Sequence, residues 1–254
     1  MNAKTDAIAV FDSGVGGISV LRQLCRLMPG ETMLYLGDSA NAPYGTRPAA
    51  EIRQLSLNVA EKLVARGVKA LVVACNTATA AAIDVLRQTY PDLIVVGIEP
   101  ALKPAADRFP GGTIGVLATP VTLQEEKFQQ LVAHYGGLCT VVKLPAPGLS
   151  ELVERGKGDS GEAEALLRPL LAPWAGKLDA LVLGCTHYPF AAATIRRILG
   201  DKVLLLDGGE GTARETKRRL VQAGLLNETQ GKIIIENSLD DPMLLELSHK
   251  LLEG

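Results

Sequence analysis

Short runs of aliphatic and β-branched residues recur along this chain, and most are followed by an amphipathic stretch. "AIAVFD" (7–12), "TMLYLGD" (32–38), "KALVVAC" (69–75) and "LIVVGI" (93–98) read as strands. "GGISVLRQLCRLM" (16–28), "RPAAEIRQLSLNVAEKLVARG" (47–67) and residues 77–89 read as the helices between them. Uniformly apolar runs imply strands covered on both faces. The β-α-β-α-β order therefore predicts a parallel sheet flanked by helices. The pattern then restarts. "GTIGVLAT" (112–119), "TVVKLP" (140–145), "LDALVLG" (178–184) and "KVLLLDGG" (202–209) read as strands. "LQEEKFQQLVAHYG" (123–136), "GEAEALLRPLLAPWAG" (161–176) and a segment from about residue 190 read as helices, and the remaining residues add a short strand and a last helix.

The two halves can be laid over each other. "ALVVAC" (70–75) matches "ALVLGC" (180–185), 110 positions later, and "IAVFDSGVG" (8–16) falls on "IGVLATPVT" (114–122), 106 positions later. The expected fold class is α/β, with two similar lobes that face one another. Each lobe is a mostly parallel sheet flanked by helices, and a pseudo-two-fold relates them. Residues 1–97 with 208–254 form the first lobe and 98–207 the second.

Composition narrows the function. The chain has 254 residues, a net charge of −2 and 4 % aromatic residues. Neither a general affinity for nucleic acid or anionic membrane nor a base-stacking surface is expected from such a balance. The N-terminal "MNAKTDAIAVFDSG" meets an acidic residue before a signal-peptide apolar region can form, and no apolar run approaches a membrane span. The cytoplasm is the expected location. Cys25, Cys75, Cys139 and Cys185 form no CxxC pair and are expected to be free thiols. Cys25 and Cys139 read as small buried hydrophobes.

Cys75 and Cys185 are different, because each ends a strand beside small polar residues. Ligands of an open parallel sheet bind beyond the carboxyl ends of its strands. The N–H groups of a following helix point to the same place and can hold a thiolate or a carboxylate. Facing lobes would put one ligand between two thiols. That geometry suits inversion at a carbon bearing hydrogen, with a base on one face and an acid on the other. "DSGVGG" (12–17), with Asp38 on a ribose, is a poor dinucleotide fingerprint, because Ser19 stands where the third glycine belongs. His187 has no companion ligands at zinc spacing, so no metal is expected.

"FDSGVGGISVL" (11–21), "GDSANAPYG" (37–45), "ACNTATAAA" (74–82), "GIEPALKPA" (97–105) and "LGCTHYP" (183–189) together resemble the glutamate racemases of the cofactor-independent aspartate/glutamate racemase superfamily. The match runs from about residue 8 to 211. The resemblance implies an active site between two α/β lobes, no cofactor, and D-glutamate made for peptidoglycan. It also implies that Cys75 takes the α-proton from the D-isomer and Cys185 from the L-isomer. Asp12 resembles the family's acid near the first cysteine and His187 the one near the second. Glu154 in "ELVERG" matches the family's "LVE" motif. Ser13, Pro43, Tyr44, Gly45, Asn76, Thr77 and Thr186 match substrate-holding positions, together with Asp12 and His187. Ala146 and Glu151 depart from many relatives, which carry cysteine and proline there, and Glu151 is a rival to Glu154. Relatives imply a homodimer, with glutamate as the small-molecule partner. Two alternatives stand beside this reading: a racemase of aspartate or another amino acid using the same thiols, and a two-lobed binding protein without chemistry.

Overall fold

The computed structural model describes residues 3–254. The chain forms two compact units. One runs up to Glu99 and resumes over Gly209–Gly254, and the other is Pro100–Gly208. In chain order the first unit opens with β1 (Ile8–Asp12), α1 (Ile18–Leu27), β2 (Met33–Gly37), α2 (Ala49–Val64), β3 (Ala70–Val73), α3 (Asn76–Thr89) and β4 (Ile94–Gly97). The second unit holds α4 (Leu102–Arg108), β5 (Thr113–Ala118), α5 (Pro120–Gln124), α6 (Glu126–Tyr135), β6 (Thr140–Pro145), α7 (Leu149–Glu154), α8 (Gly161–Leu171), β7 (Ala180–Leu183), α9 (Ala192–Leu199) and β8 (Leu204–Asp207). The chain then returns to the first unit with α10 (Gly209–Gln222), β9 (Ile233–Asn237) and α11 (Pro242–Glu253).

The first sheet has the order β4-β3-β1-β2-β9 and the second β6-β5-β7-β8. Every strand pair in both is parallel. Setting β9 aside, the orders β2-β1-β3-β4 and β6-β5-β7-β8 are the same. β3 and β7, the strands that precede Cys75 and Cys185, therefore hold equivalent places. In each sheet the order reverses between the first strand and the third (β1 and β3, β5 and β7), which is where an open α/β sheet leaves a crevice at its carboxyl edge.

Burial explains why these runs are strands. β1, β3 and β7 are buried at every residue. Side chains alternate across the pleat, and the cores follow. On β7, Leu181 and Leu183 pack with α7, α8 and α9 residues such as Leu152, Leu167 and Ile195. Ala180 and Val182 pack on the other face with Leu102, Ala105 and Phe128 of α4 and α6. In the first unit, Ala9, Phe11, Leu71 and Val73 meet Ile52, Val59, Leu63, Ala82 and Leu86 of α2 and α3. The opposite face is covered from the side of α1, which packs on α10 and α11.

Several boundaries differ from the sequence reading. The helix expected over 123–136 is broken, because Glu125 adopts an extended conformation between α5 and α6. The helix expected over 161–176 ends at Leu171 and gives way to a tight turn over Ala172–Trp174 that contains Pro173. The short helices α4 and α7 have no counterpart among the expected elements. Cys139 is buried as expected, but Cys25 is only half-buried. Burial pushes the Cys25 thiol up to about 11, which keeps it protonated at neutral pH. Among the described residues, no helix is long and apolar enough to cross a membrane.

Candidate active site

In the first unit the site residues collect at the carboxyl ends of β1, β2 and β3. Cys75 caps α3: its backbone is extended, and its Sγ accepts the Ala78 N–H at 3.4 Å. The positive end of a helix favours negative charge on a group placed there. The Sγ lies 3.7 Å from Ser13 Oγ. Asp12 is fully buried at the end of β1, and its Oδ1 accepts the Gly14 N–H at 3.0 Å. Asn76 and Thr77 open α3 and are buried. Asn76 Oδ1 is a buried acceptor without a hydrogen-bond partner. A buried amide oxygen in that state is a costly feature, which a ligand N–H would relieve.

The loop after β2 brings a third group. Asp38 is buried, and its carboxylate accepts the Tyr44 hydroxyl at 2.7 Å and the Asn41 amide at 3.0 and 3.1 Å. These bonds tie down the segment carrying Pro43, Tyr44 and Gly45. Burial raises the Tyr44 hydroxyl far above its ordinary value. The Asp38 hydrogen bond adds to this, and so do the charges of Asp38, Cys75 and Asp12. Tyr44 is therefore a neutral donor, bonded to Asp38. Sequence reasoning considered Asp38 only as a ribose ligand. Its position after an apolar strand and ahead of a polar loop was the available signal for its structural part.

In the second unit Cys185 follows β7. His187 Nδ1 lies 3.7 Å from its Sγ, and His187 Nε2 lies 2.6 Å from Glu154 Oε1. Glu154 is the last residue of α7, which sets it against the turn after β7. Glu151, three residues earlier, accepts the Ser150 hydroxyl at 2.9 Å instead. Thr186 and His187 are buried. The two cysteines differ in one respect that the sequence reading did not anticipate. No α-helix starts at Cys185. A turn leads into a tight helical segment over Tyr188–Ala191, where Pro189 lacks an N–H, and α9 begins only at Ala192. The helix-end support that Cys75 receives is thus replaced at Cys185 by the imidazole. Among the described residues, no group of three His, Cys, Asp or Glu side chains is placed to hold a metal ion.

Burial acts to lower the His187 pKa, but the contacts with Cys185 and Glu154 outweigh it and hold the imidazole well above its ordinary value. The stability it contributes is complete below the ordinary value of about 6.5 and is lost as pH rises through the higher folded value. We expect the His187 ring protons to report an imidazolium through neutral pH by NMR. In Glu154→Gln, with one anion removed, the ring should titrate at lower pH. An unperturbed titration in the parent protein would contradict this assignment of charge.

With this geometry in place, comparison with known proteins is informative. The sequence model of the Asp/Glu/Hydantoin racemase family matches residues 13–216. The chain belongs to that family. Along nearly its whole length it is similar to glutamate racemases. The glutamate racemase of Clostridium perfringens is 47 % identical over 253 residues, covering 98 % of this chain and 97 % of that protein. The crystal structure of glutamate racemase from Thermus thermophilus in complex with β-chloro-D-alanine matches with a TM-score of 0.82 at 37 % identity, covering 98 % of this chain and 94 % of that one. The structure from Francisella tularensis, in complex with D-glutamate, matches with a TM-score of 0.85 at 27 % identity, covering 99 % and 95 %.

Proposed function

We propose that this protein interconverts L-glutamate and D-glutamate by proton transfer at Cα, and so supplies D-glutamate for peptidoglycan. The observation that carries the reading is the pair of strand-end cysteines, at equivalent places in two sheets of the same strand order, with Cys75 beside Ser13, the residue after Asp12, and Cys185 beside His187. Its similarity to glutamate racemases along nearly the whole chain supports glutamate as the substrate.

The reaction needs a thiolate on one face of the α-carbon and a thiol on the other. In the D-to-L direction the Cys75 thiolate takes the α-proton and the Cys185 thiol delivers one, which leaves Cys75 protonated and Cys185 ionised. The reverse reaction uses the same states in the opposite order, so no proton is gained or lost over the turnover. Asp12 assists at Cys75. The His187 imidazolium, held by Glu154, offsets the charge that forms on Cys185 and can pass it a proton. Asn76 and Thr77 at the start of α3 receive the substrate, with Ser13, Tyr44 and Thr186 as further donors or acceptors and Pro43 and Gly45 shaping the loop. This reading draws on side chains alone and calls for no cofactor. It places the protein in the cytoplasm, as a homodimer.

The test is incubation with L-glutamate in D₂O without added cofactor, following optical rotation and α-deuterium by NMR, with L-aspartate in parallel. Loss of rotation with deuterium in D-glutamate is expected. Inversion of aspartate alone would keep the chemistry and change the substrate. No inversion or exchange with either, in folded reduced protein, would overturn the reading in favour of a binding protein.

A further inference from the structure

We infer that Tyr35 is a positioning residue for the turn that carries Asp12 and Ser13, acting through its phenol hydroxyl. The inference deepens the proposed racemase reading and rests on it. Tyr35 is the central residue of β2, in register with Val10 of β1, and it is 1 % exposed. It lies on the face of the sheet that α1 covers, with Met33 two residues before it on the same face.

Its hydroxyl donates to the Gly14 carbonyl at 2.6 Å. Gly14 is also the residue whose N–H holds Asp12 Oδ1 at 3.0 Å. One residue therefore joins the phenol to the carboxylate, with Ser13 between Asp12 and Gly14 and its Oγ 3.7 Å from the Cys75 sulfur. The carbonyls that follow are taken by the start of α1: Val15 by Ile18, Gly16 by Ser19, and Gly17 by Val20 and Leu21. Gly14 lies ahead of that ladder, and the phenol supplies its carbonyl with a donor.

The packing shows how closely the parts meet. A Cβ on Gly17 would stand 2.6 Å from Asp12 Cβ and 3.0 Å from the Tyr35 hydroxyl, and one on Gly37 would stand 2.6 Å from the Gly14 carbonyl oxygen. The turn is thus pressed between β2 and the start of α1, and the phenol is its anchor to the strand. β2 is otherwise apolar, so a phenylalanine would fill the same space without a polar group to satisfy. The hydroxyl makes the bond to Gly14. Through it, Tyr35 sets where Asp12 and Ser13 stand relative to Cys75, while touching no substrate.

Tyr35→Phe, in the full chain, tests this. Racemisation should fall about tenfold or more, mainly in kcat, because small misplacements of catalytic groups have large effects on rate. Alkylation of each thiol by iodoacetamide, followed across pH by peptide mapping, gives the specific readout. The Cys75 profile should shift and its rate change several-fold, while Cys185, in the other unit beside His187, keeps its profile. Met33→Ala is the comparison: it opens a cavity on the same face of the same strand and should lower stability at least as much, yet leave kcat and the Cys75 profile unchanged. Parent-like kcat and Cys75 alkylation in Tyr35→Phe would overturn the inference, and so would Met33→Ala reproducing both changes. If the parent protein does not racemise glutamate, the functional reading fails, and the Cys75 alkylation profile still decides the positioning by Tyr35.

Discussion

Cys75→Ala and Cys185→Ala each lose inversion of glutamate by about a thousandfold or more, while the protein stays folded. A positioned acid or base contributes roughly 10²–10⁴ in rate, and in the proposed mechanism each thiol serves as both, depending on direction. Alanine also removes only a small buried group from each site, so thermal melting should change little. The directional signature is stronger than the loss itself. With a serine in place of one cysteine, the remaining thiol can still take an α-proton from the isomer it faces. A substrate analogue with a leaving group on the β-carbon then loses it without needing the second base. Cys185→Ser should eliminate from the D-analogue and Cys75→Ser from the L-analogue. Elimination with the handedness reversed would exchange the two roles. Full inversion in either alanine variant would remove the two-base mechanism altogether.

The second large effect lies at the other end of β3. Lys69 immediately precedes that strand, and its ammonium lies 2.5 Å from Glu31 Oε2, with both side chains wholly buried. The same ammonium donates to the carbonyl of Lys4 and, at 3.0 Å, to that of Leu225. Glu31 Oε1 accepts the Asn227 N–H at 2.8 Å. Lys69→Met leaves a buried carboxylate unpaired, and that class of change costs about 3–5 kcal/mol. For a chain of this size the melting temperature should fall by roughly 6–20 °C. Replacing both partners, as in Lys69→Met with Glu31→Leu, often recovers stability when an ion pair stands alone. Here it should not, because the main-chain groups of Lys4, Leu225 and Asn227 also lose their partners. Calorimetry on the single and double variants checks this. A double variant as stable as the parent would show that the main-chain bonds contribute little.

Both thiols were legible in the sequence because each ends a wholly apolar run, and the internal match made the two positions comparable. The parallel sheets were legible for the same reason: strands buried on both faces cannot alternate in polarity. What was hidden is short or tertiary. α7 has six residues, too few to show a helical period, yet it carries the carboxylate that reaches His187. Glu151 and Glu154 lie three apart on that helix, so spacing alone leaves both facing similar ways. The packing of α7 against the turn after β7 selects Glu154. The break at Glu125 comes from backbone conformation in an otherwise regular amphipathic pattern. The part played by Tyr35 depends on a bond between residues 21 positions apart.

The interrupted layout of the first unit bears on how the chain matures during synthesis. Pro100–Gly208 is continuous, so all four of its strands can pair as soon as that stretch has left the ribosome. The unit that begins first finishes last. Its edge strand β9 and the helices that cover α1 come from Gly209–Gly254, and Lys69 gains the Leu225 carbonyl only when that stretch arrives. Until then one edge of β2 is open and a buried ammonium lacks part of its shell. Unpaired strand edges and exposed apolar faces invite association with other chains. Cys75 therefore lies in the later-completed unit, and the nascent chain depends longest on protection there.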